Sequence, residues 1–99
     1  MNHFSEETKQ KIAELCKRNH VRELSIFGSR ARGDNRSDSD YDFLVEFQAE
    51  APGDLLEFIG LKLDLEDILG RNVDLIPKKG IKKRIRNRVL LEAQTVYAG

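Results

Sequence analysis

The sequence predicts a small domain of the α/β (α+β) class, in which helices and strands alternate along the chain. Apolar residues recur at helical spacing in three segments, and three short runs rich in Val, Ile, Leu and Phe are typical of strands. Polar, glycine or proline residues separate these segments. At 99 residues the chain has room for one compact domain, so we expect residues 1–99 to fold as a single unit.

The first half of the chain is expected to hold a helix and two strands. Ser5 is suited to cap a helix, and Ile12, Leu15 and Cys16 fall together on one face of it. The predicted elements are a helix over residues 6–18, a strand over 21–27, a single helical turn over 29–33, a polar loop over 33–39 and a strand over 41–47.

A second helix is predicted after the chain break at Pro52–Gly53. Asp54 and Glu57 resemble a capping box at its start, and Gly70 is suited to end it after Leu69. A strand is the alternative, because Leu residues at 61, 63 and 65 alternate locally. Helix is favoured by apolar residues that fit its period, namely Leu55, Leu56, Ile59 and Leu63.

The remainder is predicted to form a third strand and a final helix. The strand covers residues 73–76 and is stopped by Pro77. The helix is marked by apolar residues that recur every four positions, at Ile81, Ile85, Val89 and Ala93. The first three of these are expected to face the core of the domain.

The composition argues against several classes of protein. A single cysteine, Cys16, excludes an internal disulfide and favours a reducing compartment, the cytoplasm. We expect it to pack in the core, and we expect His3 and His20 to be structural or exposed. No apolar run approaches the roughly 20 residues of a membrane helix. The N-terminal segment is too polar for a signal peptide.

The charges balance over the whole chain but not along it. Residues 51–77 lean acidic, whereas residues 78–88 are strongly basic. After Pro77 the only acidic residue is Glu92. This asymmetry favours contact with an anion or an acidic partner, although such a helix is more often a solvated face. The basic residues are Lys78, Lys79, Lys82, Lys83, Arg84, Arg86 and Arg88.

Residues 28–42 carry the strongest functional signal. They read GSRARGDNRSDSDYD, in which a Gly-Ser pair ends the first strand and Asp-x-Asp opens the second. In a strand, Asp40 and Asp42 point to one face, and such paired carboxylates favour a hard divalent cation. Asp74, in the third strand, is a third candidate ligand. Asp38 falls in the loop and is expected to be solvated.

These residue types suit metal-assisted phosphoryl or nucleotidyl transfer. Gly28 can take a positive φ, and Ser29 would open a helical turn whose N–H groups and hydroxyl can hold a phosphate. Asp74 could also help to deprotonate an incoming hydroxyl. Arg30 and Arg32 are either phosphate ligands or surface cations. The segment is not a P-loop, because it lacks Gly-Lys-Ser/Thr.

The segment FGSRARGDNRSDSDYDFLV resembles the GS-x10-DxD motif of the DNA polymerase β-like nucleotidyltransferase superfamily. The chain length is similar to that of its minimal nucleotidyltransferase (MNT) domain proteins, as are VDLI and the ending VLLEAQTVYAG. The resemblance implies a mixed sheet of three or four strands flanked by helices. It implies that the triphosphate is bound by Gly28 and Ser29, with Arg30 as a further candidate, and that Mg²⁺ and catalysis depend on Asp40, Asp42 and Asp74.

The resemblance also implies a biological role. Many MNT proteins are antitoxins paired with a HEPN-domain toxin, and some inactivate it by transferring AMP from ATP to a tyrosine hydroxyl. We therefore expect an enzyme that uses ATP and two Mg²⁺ ions and forms a hetero-oligomer with a HEPN toxin, with no membrane and no stable nucleic-acid complex. An antitoxin that acts by binding alone, or a nucleotidyltransferase for a small molecule or RNA, stays open as an alternative.

Overall fold

The computed structural model describes residues 4–50 and 54–99. The predicted break at 52–53 and His3 therefore lie outside the described residues. Within them the elements are α1 (Glu6–Arg18), β1 (Val21–Phe27), α2 (Ser29–Arg32), β2 (Tyr41–Phe47), α3 (Leu55–Leu69), β3 (Val73–Pro77), α4 (Lys83–Glu92) and β4 (Gln94–Ala98). A single 3-10 turn, Lys78–Gly80, connects β3 to α4. None of the helices described here is long and apolar enough to cross a membrane.

The strands form one mixed four-stranded sheet, which agrees with the three or four strands that the family resemblance implied. Their order is β3-β2-β1-β4, with β1 antiparallel to both β2 and β4 and with β2 parallel to β3. In this register Asp42 lies opposite Phe27 of β1 and beside Asp74 of β3. The pairing of β2 with β1 and β3 therefore brings the end of β1, Asp42 and Asp74 to one place.

Helices cover both faces of the sheet. Because side chains alternate along a strand, Phe43 and Val45 of β2 enter the main core with α1 and α3, whereas Leu44 points the other way. Leu44 packs with Ile81 and Val89 in a second, smaller core beneath α4. By the same alternation Asp42 lies on the face that α4 covers, outside the main core.

The helix ends follow the predicted capping residues. Ser5 Oγ accepts a hydrogen bond from the N–H of Thr8 (3.2 Å), and Asp54 Oδ1 accepts one from the N–H of Glu57 (2.8 Å). Gly70 ends α3 in the left-handed conformation. Glu57 Oε1 is buried without a hydrogen-bond partner and lies 3.5 Å from His20 Nδ1. His20 thus has a carboxylate neighbour, which the sequence patterns did not indicate.

The apolar faces predicted for the last two helices were partly wrong. The α3 side chains that enter the core are Leu61 and Leu65, whereas Leu55 and Leu56 are 71% and 81% exposed. Ile59 and Leu63 of the predicted stripe are exposed with them. Of the last predicted stripe, Val89 in α4 is buried as expected, as is Ile81, which lies before α4 begins, but Ile85 is 41% exposed. Helix α3 carries apolar residues on more than one face, and the sheet can cover only one of them.

The fourth strand was not located by the sequence patterns. Ala93, predicted as the last apolar residue of the final helix, is its C-cap in an extended conformation. The chain then turns directly into β4, whose residues Thr95, Val96 and Tyr97 are β-branched or aromatic and suit a strand. Helix α4 is consequently short, and β4 follows it without a loop.

Cys16 offers a test of the core. It is fully buried on α1, and burial raises the pKa of its thiol to about 12 from a usual value of 9.0. The protonated thiol therefore favours the native state below about pH 9, and this contribution is lost as the pH rises towards 12. We expect the melting temperature to fall more steeply between about pH 9 and about pH 12 in the wild type than in Cys16→Ala. Equal slopes in the two proteins would contradict the burial of the thiol.

Candidate active site

A tight turn at Gly28 connects the end of β1 to the short helix α2. Gly28 adopts φ 76° and ψ −156°, a region that is essentially restricted to glycine. Its carbonyl accepts hydrogen bonds from the N–H groups of Ala31 and Arg32, both at 3.1 Å, and so closes the single helical turn α2. Ala31 is buried in the main core and fixes this turn against the sheet. The predicted Gly-Ser turn is therefore present at the predicted position.

Gly28 also lies directly against Asp42. A Cβ built on Gly28 would overlap with Asp42 Oδ2. The absence of a side chain at residue 28 is what allows the carboxylate of β2 to approach the backbone of the turn. Glycine is therefore required at position 28 for two reasons, namely its backbone angles and its close contact with Asp42.

The structure brings the three predicted aspartates to one edge of the sheet. Asp42 and Asp74 are neighbours on adjacent parallel strands. Asp40, predicted within the strand, lies one residue before β2 begins at Tyr41. Asp42 is half-buried, and Asp40 and Asp74 are exposed. The site is therefore shallow, with Asp42 at its base.

The pKa of Asp42 reports the electrostatics of this edge. It is raised from its usual value chiefly because burial removes water from the carboxylate, and next because Asp74 and Asp40 repel its negative charge. Glu92 adds to this repulsion and Arg32 opposes it. The net direction of the pKa shift is upward, so Arg32 does not offset the combined effect of burial and repulsion.

These carboxylates fit Mg²⁺ in their chemistry, although they do not form a closed cage. Among the described residues, no three His, Cys, Asp or Glu side chains are grouped so as to hold a metal ion. Mg²⁺ rarely uses such a cage, because it is commonly held by one or two carboxylates together with substrate phosphates and water. A half-buried carboxylate with like-charged neighbours is a group that a divalent cation would stabilise. Asp40 and Asp42, with Asp74 beside them, therefore suit a metal bound together with a nucleotide.

Arg30, the third predicted nucleotide-binding residue, contacts the loop that carries Asp40. Its Nε and Nη2 donate to the carbonyl of Ser39 at 3.1 and 2.7 Å, and Nη2 also donates to Ser37 (3.3 Å). The guanidinium carbon lies 4.0 Å from the centre of the Tyr41 ring. Arg30 thus contacts both sequence neighbours of Asp40 and holds it in place.

Glu92 is the functional candidate that the sequence patterns missed. Its Oε1 accepts a hydrogen bond from the N–H of Gly28 at 2.9 Å, and both carboxylate oxygens accept from Arg32 Nη1 at 3.1 and 3.2 Å. Arg32 Nε also donates to Asp34 Oδ2 at 3.1 Å. The available signal was that Glu92 is the only acidic residue after Pro77 in a basic segment.

The two largest of the clefts found among residues 4–50 and 54–99 include neither Asp42 nor Asp74. An open cleft of about 410 Å³ is lined by Asp38 and Asp40 together with residues at the end of α3. A larger one, about 760 Å³, lies between the end of β2 and the start of α3 and is lined by apolar residues such as Val45 and Phe47 together with charged ones such as Glu46 and Lys79. Carboxylates on adjacent strands, such as Asp42 and Asp74, suit metal-assisted transfer, and neither of these two clefts contains that pair.

Comparison with known proteins places the chain in a family. The model of the nucleotidyltransferase domain matches residues 9–96. The chain belongs to the nucleotidyltransferase domain family. Over 79 residues it is 48% identical to the protein adenylyltransferase MntA of Thermococcus cleftensis, which covers 80% of this chain and 78% of that protein. The chain is therefore an enzyme of the nucleotidyltransferase class.

Solved structures agree with this assignment. A candidate minimal nucleotidyltransferase is 39% identical, covers 95% of this chain and 98% of its own, and superimposes with a TM-score of 0.75. A chain from the complex of a tri-AMPylated HEPN toxin with an MNT antitoxin from Shewanella oneidensis gives a TM-score of 0.67 at 19% identity. That match covers 94% of this chain and 71% of the other, and it shows a shared fold.

Gly28→Ala tests the contact between the turn and Asp42. The new methyl group would displace the Asp42 carboxylate and also strain the backbone, so we expect nucleotidyl transfer to fall by a factor of at least about 100. Gly33→Ala is the matched control, since Gly33 also has a positive φ (84°) but a Cβ there meets nothing within 4 Å. It should cost about 1–2 kcal/mol of stability and leave transfer nearly unchanged. Equal loss of transfer in both variants, measured on folded protein, would contradict the contact.

Proposed function

We propose that this chain is an Mg²⁺-dependent protein adenylyltransferase that acts as an antitoxin by transferring AMP from ATP to a tyrosine hydroxyl of a HEPN-type toxin. The observation that carries the proposal is the position of Asp42, between Asp74 on the adjacent strand and the Gly28 turn. The relative named as a protein adenylyltransferase supports the chemistry. The related fold in a complex of an AMPylated HEPN toxin with its MNT antitoxin supports the partner.

Each residue has a role that follows from its place. Gly28 and Ser29 receive the triphosphate at the start of α2, and Arg30 holds the loop that precedes Asp40. Asp40 and Asp42 would hold Mg²⁺, with Asp74 as the third metal-binding carboxylate. When bound, Mg²⁺ neutralises the phosphates and the developing negative charge on the leaving pyrophosphate.

The transfer itself needs one displacement and one proton acceptor. The tyrosine oxygen forms a bond to the α-phosphorus of ATP, and the bond from that phosphorus to the bridging oxygen breaks, releasing pyrophosphate. Asp74, which is exposed at the edge strand β3, accepts the tyrosine proton. No redox step or further reactant is involved.

The shallow site favours a protein as the acceptor. Asp40 and Asp74 are exposed, so a side chain on the surface of a folded partner can reach them without entering a deep pocket. We propose that residues 1–99 form one minimal nucleotidyltransferase domain and that the partner presents the acceptor tyrosine. The two proteins would form a hetero-oligomer for this step.

Neutralisation by binding alone is the second candidate function. It is favoured by the exposed apolar residues of α3, among them Leu55 and Leu56, because exposed groups of this kind often mark protein contacts. In that case the toxin would be masked rather than modified. The two functions differ in whether neutralisation requires the aspartates.

Asparagine substitutions of the aspartates distinguish the two candidate functions, AMP transfer and neutralisation by binding alone. Asp40→Asn and Asp42→Asn each remove a charge with little change in size, so transfer of AMP should fall by about 100-fold or more while the fold survives. Asp38→Asn, in the same loop, is the control and should keep transfer within about twofold. Asp74→Asn should slow single-turnover transfer more than it weakens ATP binding. Full toxin neutralisation by folded Asp42→Asn would favour masking instead.

The basic segment provides a test of partner association. Lys82, Lys83 and Arg86 are exposed at the start and outer side of α4, where they contribute little to stability. Changing all three to Glu should slow association with the toxin by about tenfold at low salt and flatten its salt dependence. Changing Lys9, Lys11 and Lys17 of α1 to Glu alters the net charge equally and is the control. Equal association rates for the two triple variants would show that α4 is only a solvated face.

A further inference from the structure

Glu92 connects the end of α4 to both ends of the short helix α2. Its carboxylate accepts from the N–H of Gly28 at 2.9 Å and from Arg32 Nη1 at 3.1 and 3.2 Å. Gly28 is the N-cap of α2, and Arg32 is its last residue. One side chain therefore bridges the whole turn, across 64 residues of sequence.

Gly28 needs such a partner because it lies just past the sheet. The pairing of β1 with β2 ends at Phe27 and Asp42, and its pairing with β4 ends at Ile26 and Gln94. The N–H of Gly28 is thus beyond both ladders, and a part-buried N–H without an acceptor is costly. Glu92 provides an acceptor that is also charged, which makes the hydrogen bond stronger.

The turn cannot be expected to hold its shape unaided. Helix α2 has four residues. A single helical turn is unstable in isolation because the conformational entropy lost in forming it exceeds the stabilisation from its hydrogen bonds. The segment after Glu92 adds a second contact, since Gln94 Nε2 donates to the carbonyl of Ala31 at 3.1 Å. The junction of α4 and β4 therefore contacts α2 at its start, middle and end.

Glu92 is itself held firmly on both sides. The N–H of Ala93 donates to the carbonyl of Val89 at 2.9 Å and closes the last turn of α4. Two residues later Gln94 is paired with Ile26 in the sheet. The carboxylate therefore starts from a fixed backbone, which is the condition for positioning another group.

We propose that Glu92 is a positioning residue that holds the Gly28–Arg32 turn in the shape that receives the nucleotide phosphates. This inference rests on the proposed function, because it assumes that the turn binds ATP. Glu92 acts through the backbone of the turn and does not touch the substrate. Its loss should therefore weaken nucleotide binding more than it slows the chemical step.

The experiment compares three variants for their ATP kinetics. Glu92→Ala removes both contacts and should raise KM for ATP about tenfold, the effect of losing one charge-assisted hydrogen bond. Its kcat should change less than about threefold, because the aspartates are untouched. Glu92→Gln keeps an acceptor for the Gly28 N–H and should restore most of the loss. Asp34→Asn removes the other carboxylate partner of Arg32, is the matched control, and should leave KM within about twofold.

A second measurement monitors the Gly28 amide of the turn in the absence of nucleotide. In ligand-free protein, Glu92→Ala should shift the amide proton resonance of Gly28 upfield and speed its exchange with solvent, whereas Asp34→Asn should not. An unchanged Gly28 amide, an unchanged or lower KM in Glu92→Ala, or no recovery in Glu92→Gln would overturn the inference. If the wild-type protein binds no ATP at all, the proposed function fails instead, and the Gly28 amide still decides whether Glu92 orders the turn.

Discussion

The position of β2 between β1 and β3 is the constraint on which the site depends. Its side chains alternate between a fully buried Phe43 and Val45 on one face and Asp42 and Leu44 on the other. A shift in register by one residue would turn the carboxylate towards the main core and the phenyl ring towards the face that α4 covers. The apolar core therefore fixes Asp42 beside Asp74 and against Gly28.

The burial of Asp42 and the negative charges around it lower the stability of the folded state. Two carboxylates on adjacent strands repel one another, and partial burial adds to the cost of ionising Asp42. Arg32, the cation that opposes this effect, is already paired with Glu92 and Asp34. The fold therefore leaves an excess of negative charge at one edge of the sheet, which is typical of a functional site.

Local patterns were sufficient to predict most elements and to select the three aspartates as candidate site residues. The bounds of α1, β1 and β2 agree with the alternation and spacing of their own residues, because each pattern reports which side chains are buried. The same patterns could not choose between the two apolar faces of α3, since only the packed sheet decides that Leu61 and Leu65 are buried and Leu55 is not. Contacts between segments that lie far apart along the chain were even harder to predict from the sequence. In the sequence Glu92 cannot be distinguished from any other carboxylate near a helix end, and only the folded structure shows its hydrogen bond to Gly28.

The long separation between Gly28 and Glu92 has a consequence for how the protein is made. During synthesis the Gly-Ser turn and all three aspartates leave the ribosome before α4 and β4. Strand β1 lies between β2 and β4, so one of its two edges stays open until residues 94–98 have emerged. The acceptor for the Gly28 N–H arrives in the same stretch of chain. A nascent chain that stops short of residue 92 thus carries all three aspartates that are proposed to bind metal but lacks the Glu92 contact to the turn, so the closing of the sheet and the ordering of the turn both depend on the last part of the chain to be made.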